Sequence, residues 1–137
     1  MPASILPIPV IPDLAATLAR IALGVAFLAH GIPKIRNPRK TIDFVKGTGF
    51  PGGAVFAVLF TLLEFFGGIA LVLGSLTQLV GALFALEMVA TTIFAKTKLG
   101  KKFVLGYELD IAYLVLGLVV ALLGAGPWSV DRLLGLA

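Results

Sequence analysis

The chain contains four long stretches of apolar residues, each long enough to cross a lipid bilayer. They cover about residues 14–32, 52–74, 76–95 and 107–124. A helix rises 1.5 Å per residue, so about 20 apolar residues span a hydrocarbon core of about 30 Å. Of the 137 residues, 59% are hydrophobic and 13% charged, and a soluble domain of this size could not bury so much apolar surface. We predict an all-α polytopic membrane protein of one domain (1–137), an antiparallel bundle of four transmembrane helices.

Positive charges are concentrated in two connecting segments. Loops 33–51 and 96–106 hold nine of the eleven Lys and Arg residues. Because such residues accumulate on the cytoplasmic side of a membrane, we predict that both loops are cytoplasmic and that both termini lie outside the cell membrane. This is the ordinary topology signal, so no nucleic-acid partner is predicted. The prolines of residues 1–12 predict an extended lead-in, and Ser129 is suited to cap a short interfacial helix within 128–137.

Ionisable residues inside the apolar stretches are the candidates for function. A charge at membrane depth costs about 2.5–3.5 kcal/mol on insertion scales, so such residues are usually paired or functional. Counting depth from the centre of each stretch places Arg20, Glu64 and Glu87 near the midplane. We predict that these three residues form one buried cluster in which one carboxyl group keeps a proton. A purely structural ion pair between Arg20 and Glu64 is the alternative interpretation.

A second polar level is predicted nearer the basic loops. His30 and Asp110 come to nearly the same depth, so Asp110 is expected to face the bundle and to pair with His30. Glu108 lies about 200° around the helix from Asp110, and we expect it to face away, toward the interface or a loop lysine. Lys34 is assigned to the basic loop. The alternative for His30 is a packed or interfacial histidine without a functional role.

The chain contains no cysteine, one histidine and two methionines. Disulfides and thiol chemistry are therefore excluded, and too few ligands remain for a haem or copper ion, so no metal site is predicted. Several aromatic rings suit lipid or core contacts, although flat rings lining a cleft also suit a quinone head group. These rings are Phe27, Phe65, Phe66, Phe84 and Phe94.

Four motifs, within roughly residues 18–134, resemble those of the DoxX family of small four-helix membrane proteins. They are the Arg–Gly–His–Gly–Lys spacing of Arg20, Gly24, His30, Gly31 and Lys34, the Glu-x-x-Gly-Gly of Glu64, Gly67 and Gly68, the Tyr-Glu-Leu-Asp at 107–110, and the Trp-Ser-x-Asp at 128–131. The family includes membrane subunits associated with a terminal quinol oxidase and with thiosulfate:quinone oxidoreductase. The resemblance therefore implies a membrane subunit of a quinone-linked oxidoreductase complex.

The resemblance also implies a site and partners. A quinone, with no covalently bound cofactor, would be held and protons relayed by Arg20, His30, Glu64, Glu87 and Asp110, with Lys34, Tyr107, Glu108 and Tyr113 as accessory residues. No individual catalytic residue is assigned. The expected partners are the lipid bilayer, another membrane or peripheral redox subunit, and further copies of the chain. The alternative function is a non-enzymatic scaffold, assembly or cargo factor whose buried charges specify helix packing. A proton-coupled carrier is disfavoured because no broken helix or inverted repeat is evident.

Overall fold

The computed structural model describes residues 8–137. Within them, four helices are long and apolar enough to span a membrane, at Pro12–Arg36, Gly53–Leu73, Thr77–Thr97 and Phe103–Leu123. The predicted all-α class with four apolar spans is therefore confirmed. Residues 1–7 of the predicted lead-in lie outside the described residues.

The helices are named in chain order. They are α1 (Pro12–Arg36), α2 (Pro38–Gly47), α3 (Gly53–Leu73), α4 (Thr77–Thr97), α5 (Glu108–Leu123) and α6 (Val130–Leu133). Helix α5 follows a bent segment, Phe103–Tyr107. We call the end of the bundle that carries α2 and this bent segment the basic end, and the opposite end, which carries α6, the terminal end.

Glycines allow close helix approach in two pairs, α1 with α3 and α4 with α5. A Cβ atom on Gly31 would lie 2.7 Å from the backbone nitrogen of Phe65, and one on Gly81 would lie 3.0 Å from the carbonyl oxygen of Gly117. Van der Waals contact of this kind drives helix association in a membrane. The rings of Phe27 and Phe84 stack with their centroids 3.7 Å apart, which joins the two pairs in the core.

Helix α1 continues past Pro33, where the sequence analysis wrongly ended it. The Asn37 N–H bonds to the Pro33 carbonyl at 3.3 Å, so one more turn forms. Proline removes one helical hydrogen bond, but this turn carries Lys34, which forms an ion pair with Glu64 on α3. A tertiary contact thus supports a turn that the local sequence disfavours.

The segment predicted as a loop over 33–51 contains the amphipathic helix α2. The Asn37 side chain accepts a hydrogen bond from the Lys40 N–H at 3.2 Å, and Pro38 occupies the first helical position. Asparagine at the N-cap followed by proline is a strong start signal for a helix. This signal was present in the sequence and was overlooked.

Arg20 forms its hydrogen bonds with backbone carbonyls at the terminal end, away from Glu64 and Glu87. The predicted cluster of these three residues is therefore wrong. The Arg20 side chain is 1% exposed and donates four hydrogen bonds to backbone carbonyls. The acceptors are Leu71 at 2.8 Å, Val72 at 2.7 Å, Ala125 at 3.0 Å and Trp128 at 2.7 Å. The actual partner of Glu64, Lys34, lies about 21 Å further along α1 at 1.5 Å per residue. The depth count erred because it compared span centres, whereas Arg20 reaches toward the carbonyl end of α3, which attracts cations.

Asp131 is the acidic counterpart of Arg20 at the terminal end. Its carboxylate accepts hydrogen bonds from the Leu76 and Thr77 N–H groups at 2.7 and 2.9 Å, at the start of α4. A cation therefore lies at the end of α3 and an anion at the start of α4, as the two helix dipoles favour. Ser129 caps α6 as predicted, because its hydroxyl accepts from the Arg132 N–H at 3.2 Å.

Replacement of Arg20 by Leu should lower the free energy of unfolding by at least about 3 kcal/mol, because several buried carbonyls lose hydrogen bonds to a charged donor. Thermal unfolding of the purified protein in detergent, followed by circular dichroism, measures the change. Arg36→Leu is the matched control, since Arg36 is exposed on the same helix; it should change stability by less than about 0.5 kcal/mol. Equal melting temperatures for the two variants would contradict the structural role of Arg20.

Candidate functional site

A buried ion pair joins the last turn of α1 to the middle of α3. Lys34 Nζ lies 2.7 Å from Glu64 Oε1, and the Glu64 side chain is 5% exposed. Glu64 stands on a π-helical turn, Leu63–Gly67, within α3. Such turns are uncommon and occur frequently at functional positions. Lys34, which the sequence analysis placed in the basic loop, is thus the cation of the site in place of Arg20.

Glu87 lies beside this pair on α4. It is 2% exposed, and its carboxyl group interacts with the Glu64 carboxyl group and with the Lys34 ammonium group. Within residues 8–137, no donor group reaches either carboxyl oxygen of Glu87 or Glu64 Oε2 while both acids are ionised, but the two carboxyl groups can hydrogen-bond each other once one of them carries a proton. Burying an ionised group without a partner is costly, and two carboxylates with one ammonium leave a net charge of −1. One proton held between Glu64 and Glu87 would neutralise the group.

A cavity of about 130 Å³ opens between α2, α3 and α4, on the basic-end side of the ion pair. It is lined by Lys34, Thr41, Phe44, Val45, Phe50, Phe56, Ala57, Phe60, Ala90, Thr91 and Phe94. Ala90 and Thr91 lie three and four residues after Glu87, and Phe60 lies four residues before Glu64. Because residues at these spacings share a helix face, both carboxyl groups lie one turn from the cavity wall.

The cavity walls are aromatic, and the rings contact one another. The Phe50 ring lies 5.3 Å from that of Phe94 and 5.6 Å from that of Phe56, in edge-to-face arrangements, and Phe44 lies 6.4 Å from Phe94. Phe44 comes from α2, which therefore forms one wall. Of the rings singled out from the sequence, only Phe94 lines the cavity. Phe44 lies on α2, in the segment predicted as a loop, whereas Phe56 and Phe60 lie on the predicted span α3, where nothing in the sequence distinguishes them from lipid-facing rings.

Thr91 connects the cavity wall to Asp110 on α5. Its hydroxyl donates to Asp110 Oδ1 at 3.0 Å. Asp110 thus faces the bundle as predicted, but its partner is Thr91, so the predicted pair with His30 is wrong. His30 is exposed on α1, and its ring lies 6.3 Å from that of Tyr113. At 3.6 residues per turn, His30 lies about 80° around the helix from Arg20, whereas Gly31 lies about 20° from it, so Gly31 occupies the buried face.

Three accessory residues of the sequence analysis lie away from the cavity. Glu108 Oε1 accepts from the Leu105 N–H at 2.6 Å and so holds the bent segment before α5, where Leu105 has a φ of 57°. Of the two predicted surroundings, the interface or a loop lysine, the structure does not support the lysine, because over residues 8–137 the one salt bridge joins Lys34 and Glu64. The Tyr107 ring packs on Phe103 at 5.5 Å, and that of Tyr113 on Phe27 at 5.7 Å.

Comparison with known proteins gives the family. The DoxX family profile matches residues 15–97. The chain belongs to the DoxX family. This DoxX protein is 30% identical over 119 residues to "Putative oxidoreductase CatD" of Bacillus subtilis (strain 168), covering 87% of the chain and 86% of that protein. It is 31% identical over 128 residues to inner membrane protein YqjF of Escherichia coli (strain K12), covering 89% of the chain and 93% of that protein. No solved structure matches this DoxX protein.

The two buried acids should differ in their contribution to stability. Glu64→Gln breaks the ion pair, but the Lys34 side chain is 34% exposed and its ammonium can regain water, so we expect a loss of about 1–3 kcal/mol. Glu87→Gln is nearly isosteric and removes an acid that no donor group of the described residues reaches, so stability should stay equal or rise. Thermal unfolding in detergent compares the variants. A larger loss for Glu87→Gln than for Glu64→Gln would contradict this assignment of the ion pair.

Proposed function

We propose that this protein is the membrane subunit of a quinone-linked oxidoreductase complex and that the aromatic cavity holds the quinone head group. The observation that carries the proposal is Glu87, a buried acid that no donor group of the described residues reaches, beside both an ion pair and a cavity. An enclosed apolar cavity of about 150 Å³ binds benzene; this one measures about 130 Å³ and is partly open, so it can take a single ring whose substituents project from it.

The chain's own residues supply binding and proton handling. The five phenylalanines of the wall can enclose a flat ring. The Lys34 ammonium has three N–H donors, of which one serves Glu64, so two remain for a ring oxygen. With Lys34, Glu64 and Glu87 form a neutral group while the two acids share one proton. Passing that proton to a bound ring would leave a net charge of −1, which a second proton from outside the site would have to neutralise. A bound quinone would supply the two-electron, two-proton redox chemistry.

We also propose that electrons reach this site from a partner subunit. The chain has no cysteine, one histidine and two methionines, which is a poor ligand set for a redox centre. The relative from Bacillus subtilis carries the word oxidoreductase in its name, in keeping with a redox role for this group of proteins. The partner would be another membrane subunit or a peripheral one, and copies of this chain can also assemble with each other.

Ring binding in the cavity is tested by filling the cavity. Ala90 lines it, so Ala90→Leu should occupy its volume and weaken binding of a short-tailed benzoquinone at least tenfold, measured by equilibrium dialysis of the purified protein in detergent. Ala82→Leu is the matched control, because Ala82 is exposed on the same helix and lies outside the cavity; it should leave the affinity unchanged. Absence of saturable binding by the unsubstituted protein would overturn the proposal.

A non-enzymatic scaffold is the second candidate function. Arg20 favours it, because all four of its hydrogen bonds go to backbone carbonyls of this chain, which shows that a buried charge here can serve packing alone. The same binding experiment separates the two functions. A scaffold needs no saturable site for a ring, whereas the redox subunit does.

For the topology, we propose that the basic end is cytoplasmic and that both termini lie outside, as the nine basic residues of the two loops favour. The natural chain has no cysteine, so single cysteines report accessibility directly. In intact cells, a membrane-impermeant maleimide should label Ala137→Cys at the terminal end, and it should label Lys98→Cys at the basic end only after the membrane is permeabilised. The reverse order of labelling would show the opposite topology.

A further inference from the structure

The polar groups of the cavity can distinguish the oxidation state of a bound ring. We propose that the cavity prefers a ring that carries a hydroxyl group, such as the reduced form of a quinone, over a ring that carries only acceptor oxygens. Thr91 sets this preference, because its hydroxyl donates its proton to Asp110 and its oxygen can then only accept a hydrogen bond. The inference rests on the proposed function and adds the preferred ligand class to it.

Lys34 offers only donors to a ligand. An ammonium group has three N–H donors and no acceptor, and one donor serves Glu64 Oε1 at 2.7 Å. A ring oxygen beside Lys34 must therefore accept a hydrogen bond. Both a carbonyl oxygen and a hydroxyl oxygen can do so, so Lys34 does not distinguish the two forms of the ring.

Thr91 offers only an acceptor. Its hydroxyl lies 3.0 Å from Asp110 Oδ1 and 3.3 Å from the Met88 carbonyl oxygen, and its one proton serves these acceptors. Both acceptors draw on the one Thr91 proton, so that proton is not free to serve a ligand. Thr91 lines the cavity, so a ligand group that reaches its oxygen must bring its own proton.

Thr41, the third polar residue of the wall, does not bias the choice. Its hydroxyl lines the cavity wall with the rest of the residue and, like any threonine hydroxyl, can rotate to donate or to accept. The complementary ligand is thus a ring with one oxygen that accepts from Lys34 and one O–H that donates to Thr91. A ring with two acceptor oxygens leaves the Thr91 lone pair without a partner. The difference of one hydrogen bond corresponds to about a two- to tenfold difference in affinity.

Two redox-inert rings of similar size test this preference. 4-Methoxyphenol carries one hydroxyl and one ether oxygen, whereas 1,4-dimethoxybenzene carries two acceptor oxygens. Titration calorimetry of the purified full chain in detergent gives the ratio of their dissociation constants. Each ring also partitions into the detergent micelle. This partition is the same for every variant, so it cancels when the ratios of two variants are compared. In Thr91→Val, which is nearly isosteric, the preference for the phenol should fall about two- to tenfold, while Thr91→Ser should keep it.

Thr92→Val is the matched control, because Thr92 is the next residue, bonds its hydroxyl to the Met88 carbonyl at 2.6 Å and does not line the cavity. It should keep the ratio of the unsubstituted protein. A ratio that is the same in Thr91→Val and in the unsubstituted protein would overturn the inference while leaving the ring site intact. Failure of both rings to bind the unsubstituted protein would instead overturn the proposed function itself.

Discussion

The hydrocarbon core of the bilayer offers no hydrogen bonds, so every polar group within the bundle must be satisfied by the protein. Arg20 and Asp131 meet this requirement through backbone groups at the ends of two helices, and Lys34 and Glu64 meet it through each other. Glu87, when ionised, does not meet it among the described residues. The functional interpretation depends on this contrast, since a group that is costly to bury when ionised, and that no donor among the described residues reaches, is best explained by the chemistry it performs.

The sequence was sufficient to predict what depends on hydrophobic length. The four spans, the inward direction of Asp110 and the Ser129 cap follow from residue spacing and cap chemistry, and the structure agrees. The partners of the buried charges were not predictable in this way. Arg20 could be placed near Glu64 only by assuming that depth along each span can be compared between spans, and a long side chain makes that comparison unreliable. A flexible Arg bonds wherever carbonyl oxygens are free, and the free carbonyls lie at the end of α3.

The position of the site depends on two local irregularities of helix structure, and neither can be predicted from hydrophobic periodicity. The turn past Pro33 forms only because Lys34 gains a tertiary partner, and the π-helical turn at Leu63–Gly67 carries that partner. Helix α2 could have been found from its Asn37–Pro38 start, and with it the aromatic wall. Sequence reasoning therefore fails here mainly where one helix compensates for a local defect in another.

Buried charged groups are accommodated differently at the two ends of the bundle. At the terminal end, a side chain added to Gly74 would meet the Ser129 Cβ at 2.5 Å and the Arg20 guanidinium carbon at 3.1 Å, so the polar groups there are closely packed. At the basic end, the charged group adjoins an open volume of about 130 Å³ that packing has not filled. Larger side chains that filled this space would stabilise the fold. An acid beside an unfilled space is best explained by a ligand that occupies the space. The closely packed terminal end then holds α3 and α4 in a fixed relation, so that Glu64 and Glu87 remain adjacent whether or not the cavity is filled.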